Sequence, residues 1–196
     1  MSLENRKEFK TIYKLKDLNI VKNELIRKYD ILYPTRKINS IYLDTPNFKI
    51  YKLNNLEDVD TYKYRFRYYE NDINSAILEK KFTSSGNKYK LKFPEIAMKI
   101  KSLNTYSIEK LHLVPVTKVE FTRSYFKYKN IRITLDENIT FSKTENKDLN
   151  PKHFVENQFI IEQKILDSND SSIEKNLLFS TEKYSKFSKS VEVLYF

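Results

Sequence analysis

Residues 62–69, Tyr-Lys-Tyr-Arg-Phe-Arg-Tyr-Tyr, alternate between aromatic rings and cations. In a β-strand, side chains two positions apart project from the same face, so Lys63, Arg65 and Arg67 would form a row of positive charge. That face cannot enter an apolar core, because burying an unpaired charge is too costly, and it must meet water, carboxylates or an anionic ligand. The rings form the other face, which we expect to be buried. Taken alone, such a segment is ordinarily an amphipathic strand with one solvated face.

The same arrangement recurs in several other predicted strands. We predict strands at residues 6–13, 38–44, 76–82, 88–93, 117–128, 131–136 and 159–166. Most of them have a face with Arg or Lys, often beside Glu or Asp. In chain order, these faces carry Arg6, Glu8 and Lys10; Glu79 and Lys81; Lys88, Lys90 and Lys92; Arg123; Arg132, Thr134 and Asp136; and Glu162 and Lys164.

Short strands joined by turns and interrupted by a few helices would position these faces. Helical spacing predicts a helix over residues 17–30 with Asp17 as its N-cap. Shorter helices are predicted up to about residue 54 and over residues 95–103, 107–112 and 171–179, and a hairpin turn is predicted at residues 84–87. About eight strands with short connections indicate an antiparallel sheet or barrel. Since there is no linker and no internal repeat, we predict a single α+β domain over residues 1–196.

The charged faces favour a closed barrel over an open sheet. An open sheet would leave a very large basic surface in solvent. A closed, eight-stranded antiparallel β-barrel would place the charged faces in its lumen and the apolar faces outside, under the helices. This is the inverse of the usual small barrel, whose interior is filled by apolar side chains. Such a lumen would bind a long, highly charged anion.

The composition agrees with an anionic partner and excludes several kinds of site. The 196 residues carry 36 Lys+Arg against 26 Asp+Glu, a net charge of +10, which indicates nucleic acid, nucleotide, polyphosphate or an anionic membrane as the partner. The single glycine, Gly86, excludes Gly-rich phosphate loops, so Arg and Lys side chains would have to hold phosphates. The absence of Cys excludes disulfides and thiolate metal sites. With no signal peptide and no long apolar run, we expect a cytoplasmic protein.

The carboxylates on the cationic faces suggest either a metal site or ion pairs. Hard oxygen ligands suit Mg²⁺ or Mn²⁺, whereas the alternative is that each carboxylate only pairs with a neighbouring Arg or Lys. The two histidines have no metal-ligand spacing, and a nucleophilic triad is not expected. Phosphoryl transfer needs neither, because it depends mainly on positioning and charge neutralisation. The carboxylates concerned are Glu8, Glu79, Asp136 and Glu162.

These motifs run in the order and spacing typical of the triphosphate tunnel metalloenzymes, and the chain resembles their VTC-type polyphosphate polymerase domain over nearly its whole length. Each motif is weak alone, but their order is specific. The matching residues are Arg6, Glu8 and Lys10 (R-x-E-x-K); Ser40, Tyr42, Asp44 and Thr45 (S-x-Y-x-D-T); Lys63, Arg65 and Arg67 (K-x-R-x-R); Glu79 and Lys81 (E-x-K); Lys88 or Lys90; Arg123; Arg132, Thr134 and Asp136 (R-x-T-x-D); Glu162 and Lys164 (E-x-K); and Lys186 and Lys189 (K-F-S-K).

The resemblance implies a basic tunnel that binds triphosphate and polyphosphate, and a Mn²⁺- or Mg²⁺-dependent transfer of the ATP γ-phosphoryl group onto a polyphosphate chain. The metal ligand would be Glu162, with Glu8 or Asp136 as the next candidates. Catalytic contacts to the transferring phosphates would come from Arg65, Arg67, Arg123 and Lys81. The residues expected to hold the rest of the polyanion are Arg6, Lys10, Lys63, Lys88, Lys90, Arg132, Lys164, Lys186 and Lys189.

Other functions remain as alternatives. A tunnel hydrolase of tripolyphosphate or nucleoside triphosphates would begin with E-x-E-x-K, whereas Arg6 occupies the first position here and favours the polymerase-like branch. A non-catalytic polyphosphate-binding module of a larger assembly is the second alternative, and the resemblance is compatible with a membrane-protein partner at the inner face of a membrane. Nucleic acid is not an expected partner, because single-strand platforms need rings and cations on the same face, and Tyr62, Tyr64, Phe66 and Tyr68 lie opposite the cations.

Overall fold

The computed structural model of the protein describes residues 8–56, 59–84, 87–94, 96, 105–144, 153–165 and 183–196. Four of the features predicted above therefore lie wholly or largely outside the described residues. They are Arg6, the tip of the hairpin turn at residues 85–86, the predicted helix at 95–103 and the predicted helix at 171–179.

Ten antiparallel strands form the body of the structure. They are β1 (Glu8–Lys14), β2 (Asp30–Asp44), β3 (Thr61–Tyr69), β4 (Ile77–Ser84), β5 (Asn87–Phe93), β6 (Tyr106–Ile108), β7 (Leu111–Tyr128), β8 (Ile131–Lys143), β9 (His153–Val155) and β10 (Gln158–Ile165). Among the described residues, the helices are α1 (Leu18–Lys28), α2 (Lys49–Asn54) and α3 (Lys186–Tyr195), with single 3₁₀ turns at Leu15–Asp17 and Ile73–Ser75.

Eight of the strands follow one another in the order β1-β10-β8-β7-β2-β3-β4-β5, while β6 pairs with β7 and β9 with β8. In a flat sheet, β1 and β5 would lie roughly 34 Å apart at the usual strand spacing. Instead, Lys88 Nζ of β5 lies 4.0 Å from Glu8 Oε2 of β1. The sheet therefore curls round until its two edges meet, and among the described residues no backbone ladder joins them. This is the predicted eight-stranded antiparallel barrel, with one seam that side chains bridge.

The apolar faces of the strands point outward, as predicted. On one side of the barrel, α1 covers a cluster that includes Leu25, Ile133, Leu135, Phe159 and Ile161. Helix α1 begins without a side-chain cap, because the predicted N-cap residue, Asp17, has helical dihedral angles and makes no capping hydrogen bond. Its position is therefore fixed by this apolar contact rather than by capping.

On the outer face of β3, the aromatic rings are covered by strand β6, an element that was not predicted from the sequence. Tyr64 and Phe66 are both fully buried, and the Phe66 ring packs 5.0 Å from the ring of Tyr106 in β6. The predicted helix at 107–112 is wrong: β6 and β7 form a hairpin there, with Glu109 and Lys110 in the left-handed region at φ 47° and 66°. Such a turn normally contains Asn or Gly, which this sequence lacks at both positions.

Three strands are longer than predicted, and each extends beyond a β-bulge or register shift that interrupts its alternation. The register shifts around Pro34 in β2, at Val116 in β7 and between Glu137 and Thr140 in β8. A bulge inserts an extra residue and reverses the facing of everything beyond it. For this reason, a search for strict alternation finds only the half of β2 that follows the bulge, residues 38–44.

Helix α3 differs from the expectation that all helices pack outside. Its Phe187 ring lies 5.2 Å from the ring of Tyr42, and Ser190 Oγ lies 2.9 Å from Thr117 Oγ1. Tyr42 and Thr117 form a register pair between β2 and β7 on the charged face of the sheet. Helix α3 therefore lies across one end of the lumen.

Candidate functional site

The charged side chains lie together on the inner surface of the barrel, which we call the lumen face. Across β3 and β4, Lys63 lies opposite Lys81 and Arg65 opposite Glu79. Across β1 and β10, Glu8 and Lys10 lie opposite Lys164 and Glu162. Cations outnumber carboxylates on this face, whose charged residues include Glu8, Lys10, Lys63, Arg65, Arg67, Glu79, Lys81, Lys88, Lys90, Arg123, Arg132, Asp136, Glu162 and Lys164.

One buried cluster is centred on Glu79. Arg65 donates to Glu79 Oε2 from Nε at 3.0 Å and from Nη2 at 2.7 Å, and Lys90 donates to Oε1 at 2.8 Å. Burial alone would raise the pKa of Glu79, but Arg65 and Lys90 outweigh it and hold that pKa far below its ordinary value. The Tyr42 hydroxyl accepts a further, longer bond from Arg65 Nη1 at 3.4 Å. Arg65 is thus fixed in direction before any ligand arrives.

A second cluster is centred on Asp136, which has no exposed surface. Arg123 donates from Nε to Asp136 Oδ1 at 2.5 Å and from Nη2 to Oδ2 at 2.6 Å. Lys186, the first residue of α3, donates to the same Oδ2 at 2.5 Å. Burial opposes the charge of Asp136, yet Arg123 and Lys186 lower its pKa below the ordinary value. Both carboxylate oxygens are therefore engaged, which makes Asp136 a poor ligand for an added metal.

The third cluster contains the two carboxylates best placed to bind a cation. Lys164 Nζ contacts Glu8 Oε1 and lies 3.1 Å from Glu162 Oε1, so Glu8 and Glu162 converge on one ammonium group. Burial alone would raise the pKa of Glu162, but Lys164 and then Arg123 hold it well below its ordinary value. Two ionised carboxylates at one place fit a hard divalent cation, although two alone bind Mg²⁺ weakly. Among the described residues, no three carboxylate or imidazole groups are close enough to hold a metal by themselves.

Other lumen cations have no carboxylate contact among the described residues. The buried Nε atoms of Arg67 and Arg132 have no hydrogen-bond partner there. Burial, followed by the charges of Arg65 and Arg123, lowers the pKa of Arg67 to about 10. Burial and neighbouring cations likewise lower the pKa of Lys81 well below its ordinary value. A buried cation surrounded by cations is unfavourable in the free protein and becomes favourable when an anion binds.

The loop that leads into α3 contacts two of the predicted lysines. Lys10 Nζ donates to the backbone oxygen of Tyr184 at 2.8 Å, and Lys63 Nζ donates to Ser185 Oγ at 3.0 Å. Burial, then Lys10 and Arg65, lower the pKa of Lys63 to about 7. Sequence reasoning assigned no role to Tyr184 or Ser185; their position directly before Lys186 was the only signal available.

The last predicted phosphate ligand, Lys189, lies on another face of α3. Its Nζ is 3.6 Å from Glu192 Oε2, one turn further along the helix. Lys186, in contrast, belongs to the Asp136 cluster. The two lysines of the K-F-S-K motif therefore have different surroundings.

Taken together, these features would suit the binding of a polyanion. Some lumen cations are held rigidly by carboxylates, others have no carboxylate contact in the described part of the chain, and Glu8 and Glu162 converge on Lys164. Planar guanidinium groups suit the oxygens of phosphate, with which they form paired hydrogen bonds.

None of the described helices has the length and hydropathy that a crossing of the bilayer requires.

Comparison with known structures supports the fold. The chain is similar to a Bacillus halodurans protein described as a “putative adenylate cyclase”, with 12% identity, a TM-score of 0.57 and coverage of 97% of this chain and 99% of that one. A Vibrio parahaemolyticus protein with the same description has 12% identity and a TM-score of 0.51, over 89% of this chain and 83% of that one. A chain of the Schizosaccharomyces pombe Mediator head module has 6% identity and a TM-score of 0.52, over 87% and 88%.

At these identities, the likeness concerns the fold alone. A comparison with curated proteins found no significant match. A comparison with family models, in contrast, matched the VTC domain over residues 5–195. That match includes every strand and helix described above, and the chain belongs to the VTC domain family.

Proposed function

We propose that the lumen is the active site of a polyphosphate polymerase. In this reaction, an oxygen of the terminal phosphate of a polyphosphate chain forms a bond to the γ-phosphorus of ATP. The bond between that phosphorus and the oxygen bridging it to the β-phosphate breaks, and ADP leaves with the bridging oxygen. The observation that carries the proposal is that the half-buried cations Arg67, Arg132 and Lys81 have no carboxylate contact among the described residues. They lie beside Arg65 and Arg123, which are already fixed in direction.

The arginines would act on the transferring phosphoryl group. Phosphoryl transfer relies on positioning and on neutralising the charge of three equatorial oxygens. Arg65 and Arg123 are preorganised by Glu79 and Asp136, so little reorganisation is needed when charge develops in the transition state. Arg67 and Lys81 lie on the same face and would complete the contacts to the phosphates.

The remaining lumen cations would hold the rest of the ATP triphosphate and the growing chain. Several lysines on one enclosed surface can follow a flexible polyanion without requiring one fixed register. Lys88 and Lys90 differ in this respect, because Lys90 already neutralises Glu79, whereas Lys88 only approaches Glu8. The residues proposed for this role are Lys10, Lys63, Lys88, Lys90, Arg132, Lys164 and Lys186. Arg6, which lies outside the described residues, and Lys189, which lies on another face of α3, stay predictions from the sequence.

Glu162, assisted by Glu8, would hold Mn²⁺ or Mg²⁺. When bound, the ion would neutralise part of the charge of the phosphate oxygens. The pair fits the ion because both carboxylates are ionised and meet at one ammonium group, that of Lys164, which would move toward the phosphates. Asp136 is less suitable, since Arg123 and Lys186 occupy its oxygens.

The test is incubation of the purified protein with ATP and Mn²⁺, followed by separate assays for polymer, ADP and free phosphate. We expect polymer and ADP to accumulate together, and we expect the double variant Arg65→Ala/Arg67→Ala to form neither. Free phosphate and ADP without polymer would instead identify a hydrolase. Retained tripolyphosphate binding without any product would identify a binding module. Full activity of the double variant would overturn the assignment of the lumen as the active site.

A further inference from the structure

The end of the lumen away from α3 carries aromatic rings together with arginines. We call this group the tyrosine rim: Tyr33, Arg36, Tyr69 and Tyr125. The guanidinium carbons of Arg36 and Arg67 lie 5.9 Å and 5.4 Å from the centre of the Tyr69 ring. The rings of Tyr33 and Tyr125 meet edge to face at 5.7 Å. Here rings and cations share one accessible face, unlike on the rest of β3.

The backbone explains why these residues meet. Tyr69 and Tyr125 are the next residues with the same facing after Arg67 and Arg123 in their strands. On β2, the bulge around Pro34 lets Tyr33 pair with Tyr125 while Arg36 pairs with Arg123. Tyr33 and Arg36 are three positions apart and would face opposite sides of a regular strand, but the bulge makes both project from the same face. Bulges near functional sites commonly redirect side chains in this way.

The rim lies at a suitable distance from the phosphate-binding arginines. Two residues along a strand span ~7 Å, so Tyr69 and Tyr125 lie about that far beyond Arg67 and Arg123. The Tyr125 hydroxyl is close enough to Arg123 and Arg67 for their charges to lower its pKa, although burial dominates and raises it overall. A group that follows the phosphates by a few bonds would reach these rings.

Exposure indicates that part of the rim is free to accept a ligand. Tyr33 is 49% exposed and Tyr69 is 40% exposed, whereas the rings Tyr64 and Phe66 on the opposite face of β3 are fully buried. Large rings that stay at the surface beside guanidinium groups offer flat apolar area for stacking.

We propose that the tyrosine rim stacks the nucleobase of ATP while its triphosphate enters the lumen. This inference rests on the proposed function, since it assigns the part of the donor that the lumen cations do not hold. Aromatic stacking is tolerant of base identity, because every base has a π-face. The rim offers rings and guanidinium groups, so it selects nucleotides over inorganic triphosphate without distinguishing strongly between ATP and GTP.

The first test compares ATP with inorganic tripolyphosphate as ligands of the double variant Tyr33→Leu/Tyr69→Leu. Loss of stacking should weaken ATP binding about tenfold and should change tripolyphosphate binding less than about twofold. Tyr128→Leu is the matched control, because Tyr128 is also an exposed tyrosine but packs against Tyr29; it should leave both affinities unchanged. Equal losses for both ligands, or no loss for either, would overturn the nucleobase site. A wild-type protein that binds neither ligand would overturn the proposed function and the nucleobase site with it.

A spectroscopic test measures stacking of the base directly instead of inferring it from a change in affinity. The chain contains no tryptophan, so Tyr69→Trp introduces a single reporter at the rim and Tyr128→Trp one outside it. Stacking of adenine should quench the emission of the Tyr69→Trp variant when ATP binds, and tripolyphosphate should not. Quenching by both ligands to the same extent, or by neither while ATP still binds, would contradict stacking.

Discussion

Single residues of the lumen fall into two groups that differ in what they need from a ligand. Arg65 and Arg123 are each held by a buried carboxylate, so their charge is compensated before anything binds. Arg67 and Lys81 have no such carboxylate among the described residues and lie beside other cations. The first group supplies geometry and the second supplies uncompensated charge, and a polyanion needs both.

The uncompensated group should lower the stability of the free protein. Replacing Arg67 with Met removes a half-buried charge among cations while keeping much of the volume. We expect the free energy of unfolding to rise, and turnover to lose roughly 2–4 kcal/mol of transition-state stabilisation, the scale of a preorganised charged donor. Arg27→Met on the exposed surface of α1 is the control and should change neither. Denaturant titration and steady-state kinetics measure the two effects, and lower stability with normal turnover would refute the prediction.

Glu162 gives a prediction that separates binding from turnover. Glu162→Gln preserves the shape and removes the charge, so metal-dependent turnover should be abolished. Metal-free polyphosphate binding should stay the same or tighten, since one repulsive charge is lost from the lumen. Calorimetry with and without Mn²⁺ and a product assay measure both, with Glu24→Gln on α1 as control. Full metal-dependent activity would make Glu162 a salt-bridge partner only and Glu8 the next candidate.

Lys63 links polyanion binding to pH. Its pKa of about 7 in the free protein reflects burial first and then Lys10, Arg65 and Lys88, against the opposing charge of Glu8. A bound polyphosphate favours the charged form, so binding above pH 7 should take up a proton and tripolyphosphate affinity should fall as pH rises. Calorimetry at pH 8 in buffers of different ionisation enthalpy measures the uptake. Lys63→Met should remove this contribution, and an unchanged proton uptake in the variant would exclude Lys63 as its source.

The same residue affects the stability of the free protein in the opposite direction. The unfolded chain keeps its proton at Lys63 up to the ordinary pKa of 10.5, whereas the folded chain releases it near pH 7. Unfolding between these values therefore binds a proton. The contribution of Lys63 to the free energy of unfolding consequently rises with pH across this window.

At the scale of elements, the Asp44-Thr45 pair of the S-x-Y-x-D-T motif has a structural role. Asp44 is fully buried and accepts from the backbone N–H groups of Thr45, Ile50 and Tyr51 at 2.6 Å, 2.8 Å and 2.9 Å. Thr45 Oγ1 accepts from the N–H of Lys49 at 3.0 Å. These bonds satisfy the free N–H groups at the start of α2 and fix the chain where it leaves β2.

Asp44→Ala should therefore destabilise the protein by about 2–4 kcal/mol, because it leaves several buried N–H groups without partners. Asp17→Ala is a matched control: Asp17 also precedes a helix but makes no side-chain capping bond, and its loss should cost less than about 0.5 kcal/mol. Urea unfolding of the two variants measures the difference. Equal losses would show that the cap of α2 contributes little.

The elements that sequence analysis predicted best are those whose pattern is local. Alternation located β3, β4, β5, β10 and the first half of β8, because register and facing follow from a period of two. Alternation did not find the β6–β7 hairpin, because its turn at Glu109 and Lys110 contains neither Gly nor Asn. It also did not find the first half of β2, which precedes the bulge around Pro34. Both features depend on tertiary contacts that override local preference.

The predictions about the site divide in the same way, into those that a local pattern supports and those that depend on long-range packing. Strand facing was enough to place Arg65, Arg67 and Glu79 on one surface. Facing alone could not reveal which carboxylates are consumed by ion pairs, because Asp136 and Glu162 look equivalent in the sequence. The contribution of α3, and the meeting of Tyr33 with Tyr125, arise from long-range packing.

At the scale of the whole molecule, the enclosed excess of positive charge predicts a strong salt dependence. Each phosphate contact by Lys or Arg releases counterions, so polyphosphate affinity should fall at least tenfold between about 50 and 200 mM salt. Titrations over this range, with Lys81→Met to reduce the slope and Lys52→Met on α2 as control, measure it. An affinity independent of salt would contradict multivalent binding in the lumen.

The seam between β1 and β5 has a consequence for how a long polymer enters and leaves. Every other neighbouring pair of the eight barrel strands is joined by a backbone ladder, whereas the described part of this boundary is spanned by side chains such as Glu8 and Lys88. Parting two side chains is far easier than breaking a ladder of hydrogen bonds. In its described part, the barrel is thus a split ring rather than a closed one. If the lumen holds polyphosphate as proposed, a polymer with both ends blocked could enter sideways between β1 and β5 without threading.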